Sequence, residues 1–509
     1  MEIPMPSIVA VVVLAVLLTK YLVLDALYLS PLSQIPGPRW YALTKWRLAY
    51  EDWKGTSTRT LDGLHREYGP AVRIGPNQVS FASMSALRSI YGPGNRYGRT
   101  AFYRMFDVYG RQNLFTFHSA ADHGRRKKLL SHAYSKSAVL QESTSRMVED
   151  RTSEYLDLIE SEPERTSDIF ATLHYYSLDS ITAFIYGRYG ATEAIRGDVA
   201  HRALIGDMLD PSRRSLSWSA VHAPALTRWL YTRTGAVERM VRPVLPMKKP
   251  ATYTGIREHA LLAVNRFKAM AEKVSATNDS PPVLQRLWTH HTSNEPGGLS
   301  DLDIASECAD HFLAGIDTTS DTLMFLIWSL SQVRNRSYQD RLRDELLRID
   351  EGELNDDGNP TAQASDRCTY LAAVIRETLR LYAPLPTFEP RSCPADSVVD
   401  GYAIPANTIV GMSPFTLHRN PGVFKDPQNF NPDRWLGQDT TEMNRWFWAF
   451  SSGGRMCIGL HLAMVEMTTL AAAIYRKYRT SLPPGLDDTT PGITARFELF
   501  YDDSFPNIK

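Results

Sequence analysis

A tight glycine turn followed by a cysteine constrains the fold of this chain more than any other stretch of its sequence. Gly453 and Gly454 come shortly before Cys457, and the apolar-rich run 460–478 follows it. Two successive glycines let the backbone approach a flat ligand without Cβ clashes. The apolar run predicts a helix, so Cys457 is expected at a helix N-terminus, where amide donors and the helix dipole favour a thiolate.

The residues around Cys457 suit a haem group. A thiolate ligand pushes electron density towards the haem iron, and Arg455 stands on the correct side to meet an anionic propionate. Phe450 is placed to pack against the cysteine and keep water away, which tunes the iron through its surroundings. The alternative is a buried structural cysteine beside a glycine turn.

The composition excludes several other classes of protein. Four cysteines in 509 residues disfavour a disulfide framework and indicate a reducing compartment. Cys308, Cys368 and Cys393 are interpreted as buried and inert, and no cysteine or histidine spacing of the zinc type occurs. Lys and Arg together number 56, as do Asp and Glu, so net charge gives no reason to expect nucleic acid as a partner.

The segment from Phe450 to Gly459 resembles the haem-binding loop FxxGxRxCxG of the cytochrome P-450 family at all five fixed positions. The resemblance covers essentially the whole chain. It implies a mainly α fold with small β-sheets in a single large domain, and heme b (iron protoporphyrin IX) with Cys457 as axial ligand. It also implies a monooxygenase that inserts one oxygen atom from O2 into a hydrophobic small molecule. Electrons are expected from a separate NADPH-cytochrome reductase, because the chain after Cys457 leaves no room for a flavin domain.

A second motif lies at Glu377 and Arg380, one helical turn apart, where they can form an ion pair. The helix that carries them has an apolar face made by Leu371, Val374, Ile375 and Leu379. Such a pair usually sits on a solvated face. The family resemblance instead implies a buried triad, completed by Arg434, that supports the haem loop.

A third motif stands in the middle of a predicted helix of about thirty residues that begins after Ser300. Ser300 and Asp303 form a plausible capping box. Gly315 and the hydroxyl of Thr318 are expected to loosen the helix locally. The resemblance implies that Thr318 hydrogen-bonds dioxygen and that Asp317 helps to deliver protons, whereas the simpler interpretation is a kink with polar surface residues.

Further propionate partners follow from the resemblance. Arg391 belongs to a strand that passes over the haem in the family, and a surface salt bridge is its alternative role. The family's early tryptophan and arginine are missing, so His123 is matched to the tryptophan and Lys127 to the arginine, with Arg126 an equally good candidate. The four successive basic residues 125–128 also fit a surface that attracts an acidic redox partner, or a merely solvated face. Candidate cavity-wall residues are Tyr103, Phe106, Val108, Tyr109, Phe117, Leu385, Thr387 and Phe388.

The N-terminus predicts membrane attachment. Residues 3–24 are almost wholly apolar and long enough to span a bilayer as a helix. A signal peptide is disfavoured because Glu2 precedes the run and no basic residue does. The predicted organisation is a transmembrane anchor over 1–24, a proline-rich hinge over 25–40 and the catalytic domain over 41–509. Basic residues after the span predict a single-pass protein of the endoplasmic reticulum membrane with a cytoplasmic body.

The remaining expectations concern the body and the range of possible functions. Strand signals cluster at 70–83 and 385–415, helical signals dominate between 120 and 380, and 278–300 is expected to be a loop. Two alternative functions stay open: a haem-thiolate isomerase or dehydratase that needs no reductase, and a non-enzymatic haem protein. The chain resembles fungal microsomal members that modify secondary metabolites, but its substrate is not defined by the sequence.

Overall fold

The computed structural model describes residues 19–163, 166–209, 218–244, 254–271, 282–291 and 298–483, together with residues 13 and 17 and the short pairs 494–495 and 499–500. Most of the predicted anchor over 1–24 lies outside the described residues. Among the residues that are described, no helix combines the length and the apolar composition that crossing a bilayer requires.

The body is mainly helical with small sheets, as the sequence predicts, and the described residues form three of them. The α-helices are α1 (Arg39–Leu43), α2 (Trp46–Trp53), α3 (Ser57–Tyr68), α4 (Met84–Tyr91), α5 (Ala120–Leu130), α6 (Lys136–Val139), α7 (Glu142–Ser161), α8 (Ile169–Tyr186), α9 (Val199–Leu209), α10 (Pro224–Thr232), α11 (Gly235–Val241), α12 (Thr254–Ala271), α13 (Pro282–Trp288), α14 (Asp301–Ser331), α15 (Arg336–Leu346), α16 (Ala362–Asp366), α17 (Thr369–Leu381), α18 (Pro414–Leu417), α19 (Thr441–Trp446) and α20 (Leu460–Lys477).

Six of the described strands lie within the two predicted sequence clusters, and three lie outside them. The strands are β1 (Ala71–Gly75), β2 (Gln78–Phe81), β3 (Gly98–Arg99), β4 (Arg391–Ser392), β5 (Ser397–Val399), β6 (Tyr402–Ile404), β7 (Ile409–Gly411), β8 (Thr494–Ala495) and β9 (Leu499–Phe500), of which β3, β8 and β9 lie outside the clusters. The main sheet has the order β1-β2-β7-β4-β3, and β5-β6 and β8-β9 form two hairpins. Only the β2–β7 pair is parallel within the main sheet. The pairing joins the two distant clusters of the sequence in one sheet.

The predicted hinge docks on this sheet. The helical segments stop at Gln34 and resume at Arg39, as the prolines around Gly37 require. The Arg73 N–H donates to the Pro36 carbonyl at 2.7 Å. A Cβ at Gly37 would lie 2.6 Å from the Arg73 oxygen, so only glycine fits this contact.

Helix α14 is the central element of the domain, and α8, α12, α17 and α20 pack around it. Its predicted length and capping box are confirmed, with the Ser300 hydroxyl accepting from Asp303 N–H and the Asp303 carboxylate accepting from Ser300 N–H. The backward hydroxyl bond expected of Thr318 is present, from its Oγ1 to the Ala314 carbonyl at 2.8 Å, and the helix nevertheless continues without interruption from Asp301 to Ser331. A Cβ on Gly315 would lie 2.5 Å from Cγ1 of Ile181 on α8, so the glycine serves close helix packing.

One expectation about a connecting segment needs correction. The described part of the predicted loop over 278–300 contains helix α13. Val283, Leu284 and Leu287 are fully buried there, so an apolar helical face outweighs the polar composition around it.

The contact at Gly315 predicts a measurable packing effect. Gly315→Ala should lower the apparent free energy of unfolding by about 1 to 3 kcal/mol, because the added methyl overpacks the α8–α14 interface. Ile181→Ala in the same chain should recover part of the loss, since it vacates the clashing volume. Denaturant unfolding of both single variants and the double variant measures this coupling, and strictly additive effects would contradict it.

Candidate active site

The loop before α20 holds Cys457 in a fixed position. A 3₁₀ turn spans Gly453–Arg455, and the Cys457 N–H donates to the Phe450 carbonyl at 2.9 Å. Gly453 has φ 63°, and a Cβ there would lie 2.2 Å from the Tyr91 carbonyl oxygen. The loop therefore presses against α4 at a point where only glycine is tolerated.

The thiol of Cys457 faces an enclosed space. Its side chain is accessible, yet burial is the largest influence on its pKa and raises it. The N–H groups of Gly459 and Leu460 and the charge of Lys127 act in the opposite direction. The amide donors predicted for a cysteine at a helix N-terminus are present, and coordination to a metal cation deprotonates such a thiol outright.

Helix α14 turns one accessible face towards the interior. Ala314 is exposed in the middle of a helix whose other faces are packed in the core, and accessible positions recur at helical spacing around it. These positions are Asp310, Leu313, Ala314, Asp317 and Thr318. The charges of both Cys457 and Asp310 act on the buried Tyr134 and help to raise its pKa, after burial. The thiol and this face of α14 therefore border the same region.

Five basic side chains gather beside this region: Arg99, His123, Lys127, Arg391 and Arg455. Burial and the charges of the other four lower the pKa of His123 to about 3. Burial and neighbouring arginines also lower the pKa of Arg455 to about 9 and that of Arg99 to about 10. The buried Arg99 Nε has no hydrogen-bond partner among the described residues. Such concentrated positive charge is costly unless an anion binds it, which fits the two carboxylates of a haem.

The comparisons with known proteins agree with this geometry. The family model described as cytochrome P-450 matches residues 238–497. Cytochrome P-450 monooxygenase stcB of Emericella nidulans is 30% identical over 474 residues, which cover 88% of this chain and 82% of that protein. This chain belongs to the cytochrome P-450 family. Because the relatives found are monooxygenases, this P-450 is an oxidoreductase.

Other relatives extend the similarity over nearly the full length. Cytochrome P-450 monooxygenase tazI of Aspergillus terreus is 28% identical over 98% of this chain and 95% of that protein. The crystal structure of the cytochrome P-450DA heme domain superposes with a TM-score of 0.72 at 17% identity, covering 92% of this chain and 96% of that one. The P-450 fold predicted from the haem-loop motif is therefore confirmed.

The structure separates the two candidates for the early propionate partner. Lys127 Nζ donates to the Gly454 and Met456 carbonyls at 3.0 and 2.9 Å, beside Cys457. The buried Arg126 instead forms an ion pair with Glu307 of α14. Of the pair, Lys127 on α5 contacts the cysteine loop, and a propionate role for either residue stays a prediction.

Arg391 and Arg455 both lie in the cation cluster, and a propionate contact for either stays a prediction. Arg391 is buried, so the surface salt bridge considered for it is excluded; its Nη1 donates to the Tyr103 hydroxyl at 2.5 Å and its Nη2 contacts Glu389 at 3.2 Å. Arg455 donates to the Phe117 carbonyl at 2.6 Å and to the His118 carbonyl at 3.0 Å. Arg455 therefore ties the early segment of the chain to the haem loop, and Arg391 ties it to strand β4.

The predicted triad is buried and complete in this P-450. Arg380 makes two bonds of 2.8 Å to the Glu377 carboxylate, and Arg434 Nε donates to the same carboxylate at 3.1 Å. Trp435 Nε1 adds a bond of 3.0 Å and the Asn431 N–H one of 2.9 Å. Because Glu377 and Arg380 are wholly buried, the solvated-face interpretation is excluded.

A relay of hydrogen bonds connects the triad with the haem loop. Arg380 Nη1 donates to the His418 carbonyl at 2.9 Å. The Trp448 N–H donates to His418 Nε2 at 2.8 Å, and Trp448 Nε1 donates to the Ser452 hydroxyl at 3.0 Å, next to Gly453. Burial and the charges of Arg380 and Arg419 lower the pKa of His418 to about 3, so the ring is neutral and able to accept.

The proposed cavity wall is only partly supported by the packing. Tyr103 and Val108 are core residues, and the Tyr109 hydroxyl bonds to the Arg257 carbonyl. Phe388 packs on the sheet, where its ring would meet a Cβ at Gly411. Thr387 is buried, while Phe106, Phe117 and Leu385 retain accessible surface.

Several site residues carry no signal in the sequence. Arg99 sits on a strand of two residues, and Glu389 and His418 belong to no recognisable local motif. Their roles arise from contacts that only the folded chain brings together, such as those of His418 with Arg380 and Trp448. Arg99 is recognisable as a site residue only from the excess of buried positive charge around it.

Breaking the triad should destabilise the domain strongly. Glu377→Gln should lower the apparent free energy of unfolding by about 3 to 5 kcal/mol, because it leaves buried arginine charge uncompensated. Glu442→Gln is the matched control, since its pair with Arg445 is exposed and should change stability by at most about 1 kcal/mol. Equal effects of the two substitutions in denaturant unfolding would show that burial of the triad has no special weight.

Proposed function

We propose that this P-450 inserts one oxygen atom from O2 into a hydrophobic small molecule of fungal secondary metabolism, with electrons from a separate NADPH-cytochrome reductase. The observation that carries the proposal is the acid–alcohol pair of Asp317 and Thr318 on the accessible face of α14. A reductase-independent isomerase or dehydratase has no need of that pair. The fungal origin of the similar monooxygenases supports the proposed metabolic role.

Each part of the site has a chemical task. Cys457 would hold the haem iron, and bound haem would supply the oxidising chemistry. Arg99, Lys127, Arg391 and Arg455 would balance the propionates. The protein's own residues then bind the substrate, exclude water and move protons.

Thr318 and Asp317 divide the proton-handling task. The Thr318 hydroxyl donates to the Ala314 carbonyl one turn back at 2.8 Å, so its oxygen keeps lone pairs directed away from that carbonyl. To pass its own proton onward, the hydroxyl must rotate away from the Ala314 carbonyl, and its oxygen can then take a proton in return. Asp317 is half-buried on the same face and is the nearest acid in sequence to resupply it.

The first test is spectroscopic. Reduced protein treated with carbon monoxide should show the strongly red-shifted Soret band of a thiolate-ligated haem, and Cys457→Ala should abolish it. Cys393→Ala is the matched control, because Cys393 is buried in the sheet cluster and should leave the band intact. Survival of the band in Cys457→Ala would reject the assigned ligand.

Turnover decides between the proposed reaction and its alternative. With purified NADPH-cytochrome reductase and a panel of terpenoids and polyketides, labelled oxygen from O2 should enter the product as NADPH is consumed. Product formed without NADPH and without label would favour the isomerase or dehydratase.

We further propose attachment to the endoplasmic reticulum membrane, with the catalytic domain cytoplasmic. Support comes from a patch of accessible aromatic side chains on two segments. Trp40, Trp46 and Trp53 lie near the N-terminus and Trp229 lies on α10. The Lys45 ammonium donates to the His222 carbonyl at 2.7 Å, which joins the two segments. Tryptophan combined with lysine is typical of a membrane–water interface.

Membrane attachment predicts a graded result in fractionation. The full chain should remain in the microsomal pellet after an alkaline carbonate wash. Deletion of residues 1–24 should release most of the protein from the pellet. The fraction of the deleted protein that stays in the pellet should fall further when Trp40 and Trp229 are both changed to serine. Complete release of the full chain by carbonate would contradict the anchor.

A further inference from the structure

A buried histidine on α8 meets the acid of the acid–alcohol pair. His174 is 3% exposed, and its Nε2 lies 3.5 Å from Oδ1 of Asp317. Its other ring nitrogen, Nδ1, lies 2.7 Å from the Phe170 carbonyl oxygen. The Phe170 ring covers the imidazole, with centroids 4.3 Å apart. Both nitrogens of the ring are therefore occupied by oxygen atoms, and water is largely excluded.

This arrangement favours one proton more than a neutral histidine beside a carboxylate would hold. A carbonyl oxygen only accepts hydrogen bonds, so Nδ1 carries a hydrogen. A carboxylate likewise only accepts, so the 3.5 Å contact is attractive when Nε2 carries a hydrogen or Asp317 is protonated, and it sets two lone pairs against each other when neither is. In both cases the pair of side chains, called the His174–Asp317 dyad, stores a proton that can leave.

The charges around the dyad favour keeping that proton. Burial by itself lowers the pKa of His174, but the hydrogen bond and charge of Asp317 and the charge of Asp321 outweigh it and raise the pKa. Asp321 is itself buried on α14, one turn beyond Asp317. The two aspartates that act on His174 thus come from the same helix packed against α8.

The dyad is closed on one side and open on the other. The His174 side chain is 4% exposed, whereas that of Asp317 is 22% exposed, on the face of α14 that also carries Thr318. The close packing of the helices at Gly315 holds α8 near enough for the contact. A purely structural interhelical pair gains nothing from an accessible carboxylate that faces the active-site region.

We propose that His174 is a positioning residue that orients Asp317 and keeps a stored proton beside Thr318. The inference rests on the proposed function. When Asp317 passes a proton towards Thr318, the dyad becomes neutral imidazole and carboxylate, and one proton from solvent restores it through the accessible side of Asp317. No electron or further bond is involved, so atoms and charge balance.

Magnetic resonance of ring nitrogens tests the stored proton directly. In ferrous carbonyl protein labelled at histidine nitrogen, the His174 signals, assigned with His174→Gln, should show an imidazolium at neutral pH. If they show a neutral ring, infrared difference spectra against Asp317→Asn should show a protonated carboxylic acid. A neutral ring together with an ionised Asp317 overturns the proposal.

His65 is a matched histidine for this measurement. It is also buried, with Nδ1 2.9 Å from the Gly69 carbonyl, but its Nε2 meets the Ser80 hydroxyl at 2.8 Å instead of a carboxylate. A hydroxyl can donate, so His65 needs no extra proton. It should remain neutral at the pH where the His174–Asp317 dyad holds its proton.

Turnover supplies the functional readout. His174→Gln should keep the red-shifted carbonyl band and the substrate affinity of the parent. It should divert a several-fold larger share of NADPH electrons to hydrogen peroxide and alter the pH profile of product coupling. His65→Gln should leave coupling unchanged, and unchanged coupling in His174→Gln would overturn the proposal.

The proposed function and the role of the His174–Asp317 dyad can fail separately. If the parent protein incorporates no oxygen from O2, the proposed function fails. If the parent does so while His174→Gln behaves identically, only the dyad fails. Should His174→Gln prove unstable, Asp317→Asn still reports through the nitrogen signals, because it should return His174 to the neutral form.

Discussion

The ion pair between Glu377 and Arg380 is the interaction on which the rest of the site depends. A carboxylate taken fully out of water must be neutralised and hydrogen-bonded at every lone pair. Glu377 meets this condition with two arginines, a backbone amide and an indole. The bonds that satisfy it originate in segments far apart in sequence, so satisfying this one charge also fixes the path of the chain towards Cys457.

His418 carries that constraint to the haem loop. Its ring accepts from the backbone of Trp448 only while neutral, and the adjacent arginines keep it neutral through its lowered pKa. The Trp448 ring lies against Tyr91, with centroids 4.6 Å apart. Tyr91 also provides the carbonyl that excludes a side chain at Gly453. The triad and the loop are therefore two ends of one rigid unit.

Local sequence information predicts the parts of the molecule that local chemistry determines. The glycine turn before Cys457, the capping box at Ser300 and the one-turn spacing of Glu377 and Arg380 were all recognisable, because their geometry depends on neighbouring residues. Helix α13 was missed because its short apolar face is surrounded by polar residues. The packing role of Gly315 was missed because the side chain that requires a glycine there, Ile181, lies on another helix. Arg99, His418 and His174 act through partners that only the fold brings near.

The positive charges of Arg99, Lys127, Arg391 and Arg455 have a consequence for how the protein is made. Like charges held together in a buried site repel one another, and this repulsion opposes folding of the segments that carry them. An anionic cofactor bound among these charges makes the same packing favourable. A ligand that binds only the folded chain adds its binding free energy to stability. The quantity of functional enzyme in a cell should consequently follow the supply of haem, since newly made chains that lack it are the ones exposed to proteolysis.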